Sequence, residues 1–361
     1  MSRRISERTW PLLVVALLVL SACEPPPVPE IAYLGMNLHG DRIEWQWDAG
    51  EATWTAFNRD LDLETEGSFA ASPDSALEGF VESEGDLGTA WAVERPGWGL
   101  VSSFPTGRGD GVLTWAVSTA VVVEDYLPLL AGNHTCVRMR DDGSPTDDIG
   151  FLTLDEDRFA LSLLDSCTTR PENLPFGAST VEAGEGDEEG TWSLGGMNDQ
   201  EILLEGDAGT WEGVVFPGYA MALRPHSLDG LLLCLWSPLP NTQLSVFDGD
   251  FRFVEYRRQG EEPFGVPGLG TVDVFGEAGE LYRRSAAGEE ETAFLALRTQ
   301  VYYVGNLVLW EITEDERIYM GVAGDFYMQW TQQGGPGGPD ALDGDMLSFA
   351  AGFHPRVSHL D

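Results

Sequence analysis

The chain has 361 residues, with 60 acidic against 20 basic side chains and a formal net charge of −40; every basic residue is Arg. That balance excludes a nucleic-acid binder, which needs a basic surface for phosphates, and disfavours adhesion to anionic headgroups, which attract basic segments. Hydrophobic residues at 43% and aromatics at 11% exclude a disordered acidic chain and supply the apolar area for one or more cores.

The first predicted element is a secretory signal. "MSRRISERTW" sets Arg3, Arg4 and Arg8 against Glu7 and runs into an apolar segment from Pro11 to Leu20. Ten apolar residues fall short of the roughly 20 that a spanning helix needs. A basic segment, a short apolar segment and then small residues are the order of an export signal. The segment closes on Leu20, Ser21, Ala22 and Cys23, which resembles the lipobox of bacterial lipoproteins. The resemblance covers residues 1–23. It implies that a signal peptidase recognises Leu20, Ser21 and Ala22, that cleavage makes Cys23 the first residue of the mature chain, and that Cys23 carries acyl chains. Several chains on one residue hold a protein stably where a single chain is marginal. "EPPPVPE" then reads as an extended polyproline tether, residues 23–30. In the resembling lipoproteins an Asp after the Cys favours retention at the inner membrane; Glu24 stands here, which points to the outer membrane.

Removing residues 1–22 takes away three Arg and one Glu, leaving 17 basic against 59 acidic residues. Membrane association is therefore expected through lipid alone. Three cysteines remain, Cys136, Cys167 and Cys234. An odd count in an exported chain permits one disulfide and one free thiol. The expected pair is Cys136 with Cys167, closing a loop of about thirty residues, with Cys234 of "LLLCLW" a small core residue.

Strand signals dominate the rest. In "DRIEWQWD", Ile43, Trp45 and Trp47 share one face and Arg42, Glu44, Gln46 and Asp48 the other, as a half-buried antiparallel strand requires. "YYVGNLVLWEI" carries Gly305-Asn306 between apolar runs, a hairpin signal, and "RIYMGVAGDFYMQW" continues with strand-like sequence. With 43 Gly, 21 Pro and no long amphipathic pattern after the signal, the predicted fold is all-β, built of antiparallel sandwich or barrel modules. A weak echo supports repetition: "LHGDRIEW", "LAGNHTCV" and "FDGDFRFV" each place a bulky apolar residue two before a Gly, then Asp or Asn, then a strand. The echoes start at Leu38, Leu130 and Phe247, and modules are expected over 31–126, 127–241 and 242–361, with boundaries near Tyr126–Pro128 and Pro238–Gln243; one larger sandwich or barrel is the alternative.

Few motifs carry chemistry. Asp60, Asp62, Glu64 and Glu66 alternate along "NRDLDLETE", a candidate ladder for weak divalent-cation binding if the stretch is one strand, or else a solvated acidic face. The five His show no His-Glu-x-x-His pair, there is no Cys-x-x-Cys, and a chain without Lys holds no Gly-Lys phosphate loop. No Gly-x-Ser-x-Gly elbow occurs. Eleven Trp remain after the signal. Exposed on a β scaffold they could stack on sugars, whereas the alternation around Trp45 and Trp47 assigns those two to a core. The function expected is a non-catalytic interaction or structural component of the cell envelope without a cofactor, its partners the membrane, through the lipid, and an envelope protein. The alternatives are a carbohydrate-binding lipoprotein using exposed Trp to hold a polysaccharide, and a hydrolase without a recognisable motif.

Overall fold

The computed structural model describes residues 31–72, 79–85, 88–107, 113–123, 130–139, 145–164, 188–216, 220–225, 230–236, 247–257, 266–297, 307–313, 316–333 and 346–354. They form 25 strands and one 3-10 turn, Met197–Asp199. The fold is all-β, as its sequence predicts, with three antiparallel sheets, two of them closed barrels.

The first sheet holds β1 (Ile31–Asn37), β2 (Arg42–Asp48), β3 (Thr53–Asn58), β4 (Leu63–Ser68), β5 (Ala70–Ala71), β6 (Phe80–Gly85), β7 (Gly88–Arg95), β8 (Gly99–Ser102) and β9 (Thr114–Ser118), in the order β4-β3-β2-β1-β9-β8-β7-β6-β5. It curls into a half-barrel: Trp54 Nε1 on β3 donates to Ser83 Oγ on β6, and Ser83 Oγ donates to the Ser68 carbonyl of β4. Ile43, Trp45 and Trp47 fill the concave side with Trp54 and Phe104, while Gln46 stays exposed. The rings touch directly, Trp47 lying 4.1 Å from Phe69 and Trp54 5.1 Å from Phe104 between centroids.

The first barrel runs through β10 (Gly132–Met139), β11 (Pro145–Asp155), β12 (Arg158–Leu164), β13 (Glu188–Gly195), β14 (Glu201–Gly206), β15 (Thr210–Phe216), β16 (Ala220–Pro225) and β17 (Leu231–Trp236). The second runs through β18 (Gly249–Arg257), β19 (Val266–Phe275), β20 (Ala278–Ser285), β21 (Glu290–Leu297), β22 (Leu307–Glu311), β23 (Glu316–Ala323), β24 (Phe326–Gln333) and β25 (Met346–Phe353). In each, successive strands pair in chain order and the last closes on the first. Closure leaves no free sheet edge. The hairpin between β23 and β24 turns on Gly324-Asp325, Gly324 having φ +60. Gly305-Asn306 and both expected module boundaries lie outside the described residues.

Two of the three echoes occupy one structural position. Leu130 and Phe247 are buried in the cores of the first and second barrels, and the glycines two residues on, Gly132 (φ +132) and Gly249 (φ +140), open the first strand of each. The echo at Leu38 differs: its Gly40 (φ +80) turns the β1–β2 hairpin within the half-barrel.

The strands that read as continuous apolar runs are buried on both faces. In β17, Leu232 and Cys234 point into the barrel, while Leu231, Leu233 and Leu235 join a core shared by all three sheets. That shared core is stitched by aromatic pairs, Trp115 with Phe349 at 5.6 Å and Phe216 with Phe326 at 5.7 Å. The expected Cys136–Cys167 bridge is corrected here. Cys136 of β10 is bonded to Cys234 of β17, its direct cross-strand partner, with Cα atoms 3.9 Å apart; Cys167 lies outside the described residues. Barrel closure brings together two residues 98 apart in sequence, which local spacing does not reveal.

His134 lies two residues before Cys136 on the same inward face and is fully buried, which lowers its pKa to about 4 against weaker upward effects of hydrogen bonds with the Leu152 and Gly132 backbone. The folded chain thus holds His134 neutral while the unfolded chain protonates it near 6.5. Stability contributed by this group is complete above that value and falls as the pH drops towards 4, by about 3 kcal/mol. Hydrogen exchange of the first barrel between pH 7 and 4 should show this slope in the wild type and lose it in His134→Gln; equal slopes would remove the assignment.

Candidate functional site

The interior of the second barrel changes character along its axis. On β18 the alternation sets Phe251, Phe253, Glu255 and Arg257 on one face, so the face that begins with two Phe ends in two charges. The same happens on β20, from Leu281 to Arg283, and on β24, from Tyr327 to Gln329 and Thr331. Apolar side chains including Phe251, Phe253, Leu281, Leu295, Ile318 and Met320 fill the rest of the interior.

Arg283 is the centre of the polar end and is 1% exposed. Its Nε is 3.5 Å from Glu255 Oε2, and its Nη1 is 3.4 Å from Glu316 Oε1 and 3.9 Å from Glu291 Oε2. Its Nη2 donates a short hydrogen bond to Thr331 Oγ1, which also accepts from Ser348 Oγ at 3.1 Å. One guanidinium from β20 therefore reaches β18, β21, β24 and the first residue of β23. Arg257 Nη1 donates to Glu291 Oε2 at 2.8 Å and completes the cluster. The approach of Glu255 to Arg283 depends on β19, which runs between them and carries Gly268 and Gly270 opposite Glu255 and Phe253. A Cβ on Gly268 would lie 3.0 Å from Glu255 Cγ, and one on Gly270 2.4 Å from the Phe253 ring.

Burial raises the Glu255 carboxyl pKa, and the charges of Arg283 and Arg257 oppose that rise. For Glu291 burial also works upwards, but the hydrogen bond from Arg257 and the charges of both Arg residues hold the carboxyl below its ordinary value. Burial keeps the Tyr327 hydroxyl protonated, and it donates to Gln329 Oε1. Among the described residues, Gln329 Nε2 and Trp310 Nε1 inside this barrel have no hydrogen-bond acceptor, and Arg283 Nε and Glu255 Oε2 face each other at ion-pair distance without forming a hydrogen bond. Three carboxylates and two guanidiniums facing one another make a nearly self-neutralised ionic crossbar, which ties the strands of one barrel end together.

The acidic ladder does not form as expected. Asp60 and Asp62 lie in the turn between β3 and β4, and only Glu64 and Glu66 share the exposed face of β4. Asp60 Oδ2 accepts the Arg42 N–H at 2.7 Å, and Oδ1 lies 3.0 Å from Arg224 Nη1 on the first barrel. Burial acts to raise its pKa, but these bonds and the charges of Arg224 and Arg42 lower it. Asp60 therefore joins two sheets, as do the pairs Arg59–Glu201 at 2.9 Å and Arg42–Glu212 at 3.8 Å. Among the described residues no group of three His, Cys, Asp or Glu side chains is disposed to hold a metal ion.

The tryptophans settle into cores. All eleven Trp after the signal are described; eight are buried, and Trp98, Trp192 and Trp236 are half-buried. Trp45 and Trp47 lie in a core, as their alternation predicts, and the apolar faces that carry the other rings are faces of packed sheets. Leu20, Ser21, Ala22 and Cys23 lie outside the described residues.

No protein-family model and no curated protein matches the chain. Solved structures similar to it include a DUF3598-family protein of unknown function from Nostoc punctiforme, 10% identical, covering 65% of this chain and 99% of that one with a TM-score of 0.23. Kievitone hydratase from Nectria haematococca is 9% identical over 63% of this chain and 90% of its own, with a TM-score of 0.18. A DNA polymerase sliding clamp from Pseudomonas aeruginosa is 11% identical over 96% and 97%, with a TM-score of 0.14. Likenesses this low leave function to the chain's own geometry.

Proposed function

We propose that the protein is a lipid-anchored component of the bacterial cell envelope that acts by interaction and not by catalysis. The observation that supports this reading most directly is the Cys136–Cys234 disulfide, buried inside the first barrel. Disulfides form and persist in oxidising compartments outside the cytosol, which agrees with an export signal ending in Leu20-Ser21-Ala22-Cys23. The ionic cluster of the second barrel supports a non-catalytic role, because its carboxylates and guanidiniums are paired with one another across the strands of one barrel end. The acid excess of the chain then belongs to its outer surface, where it favours solubility and basic partners.

Mass spectrometry of protein purified from membranes is the test. The mature chain should begin at Cys23 and carry acyl mass there, and Cys23→Ser should release the protein into the soluble fraction. Alkylation under denaturing conditions should modify Cys167 alone without reductant, and Cys136 and Cys234 as well after reduction. An unmodified, soluble wild type would overturn the proposal.

A further inference from the structure

The surface that meets the membrane can be located from where the tether enters the body. Between Cys23 and Ile31 lie eight residue steps, which reach at most about 28 Å when fully extended. A compact body of this length has a radius of gyration of about 20 Å. So short a leash keeps the Ile31 end of the body turned towards the bilayer.

At that end the chain is fastened to a second segment and then to a third. The Ala32 carbonyl accepts from Thr119 N at 2.8 Å and from Thr119 Oγ1 at 3.1 Å. The Thr119 carbonyl accepts from Asn198 Nδ2 at 2.5 Å. Gln200, fully buried, donates from Nε2 to the carbonyls of Ser118 at 2.7 Å and Val121 at 2.6 Å. These bonds clamp the β13–β14 turn beside the point of tether entry. Two exposed apolar side chains project from the clamped segments, Met197 at 66% and Val122 at 37% exposure.

We infer that Met197 and Val122 rest on the bilayer that holds the acyl chains of Cys23, entering at the level of the headgroups. The inference rests on the lipid-anchor proposal and adds the orientation of the body. Met is unbranched and flexible, which suits an irregular lipid interface. Asp48, at the same end of β2, and Asp199, next in the turn, are acidic, so the surface that fits is zwitterionic and not anionic. Phe294, though 76% exposed, stands on β21 of the second barrel in cross-strand line with Glu280, Asp273 and Asp250, outside the segments bonded together at the tether entry, and so serves as the comparison site.

The test uses mature lipidated protein in phosphatidylcholine vesicles, in a Cys167→Ser background. A spin label is placed at Met197→Cys or, for comparison, at Phe294→Cys; both sites are exposed, so folding is preserved. The label at 197 should show a several-fold higher ratio of oxygen to nickel-chelate accessibility than the label at 294, and adding anionic lipid should lower that ratio. Equal ratios at the two sites, in protein that floats with the vesicles and carries acyl mass on Cys23, would overturn the orientation and leave the anchor standing. Protein that neither floats nor carries acyl mass would take down anchor and orientation together.

Discussion

Arg283→Ala is expected to cost the second barrel about 3–5 kcal/mol, the usual penalty for removing one partner of a buried ion pair. The loss is large because Glu255, 2% exposed, remains inside the barrel without the guanidinium that offsets its burial. Glu316 and Thr331 lose a donor at the same time. Burial already raises the Glu255 carboxyl pKa, and losing Arg283 raises it further. A raised folded value means that the folded state favours the protonated acid, so the variant's deficit should be greatest at neutral pH and shrink as the pH falls towards the ordinary carboxylate range. Replacing both charges, Arg283→Met with Glu255→Leu, should recover much of the loss, because apolar side chains of similar volume need no compensation for desolvation. Hydrogen exchange of the β18–β25 amides measures both variants. A single-variant loss below about 1 kcal/mol would mean that the pair is solvated like a surface bridge, and the crossbar assignment would fail.

The signal for this cluster was present in the sequence but not its partners. "FRFVEYRR" puts Phe251, Phe253, Glu255 and Arg257 at period two, and "ELYRRS" does the same for Leu281 and Arg283. A charge on the same face as core residues is a direct sign of a buried ion. Which of 60 acidic side chains meets Arg283 is another matter, because Glu255, Glu291 and Glu316 reach it through the register and closure of eight strands. Trp45 and Trp47 could be placed from alternation alone, since each face of β2 has one environment. The acidic stretch at Asp60 could not: alternation through "NRDLDLETE" hides a turn in which Asp62 takes φ +52 and Asp60 turns to Arg224. The double burial of β17 was legible as an unbroken apolar run, but its cause, one face inside a barrel and the other in a core shared by three sheets, is a property of the assembled sheets.

Cys136→Ala with Cys234→Ala should lower the stability of the first barrel by about 4–5 kcal/mol on the loop-closure account, because the bridge spans 98 residues and removes that loop's freedom from the unfolded chain. The bond joins the first strand of the barrel to the last, so its loss acts on closure and not on one hairpin. Hydrogen exchange resolves this better than a single melting temperature, since a chain of three sheets is not expected to unfold in one step. Protection should fall most along β10 and β17, whose pairing completes the ring. Loss of less than about 1 kcal/mol there would show that cross-strand packing closes the barrel without help from the bond. The second barrel provides the finer reading. Leu231, Leu233 and Leu235 of β17 pack in the same core as Phe326 and Phe349, and Phe216 meets Phe326 at 5.7 Å. Loosening β17 therefore removes apolar support from β24 and β25, and their exchange should rise with that of the first barrel although no bond of their own has been cut. If β24 and β25 keep full protection, the three sheets share a surface but not a cooperative unit.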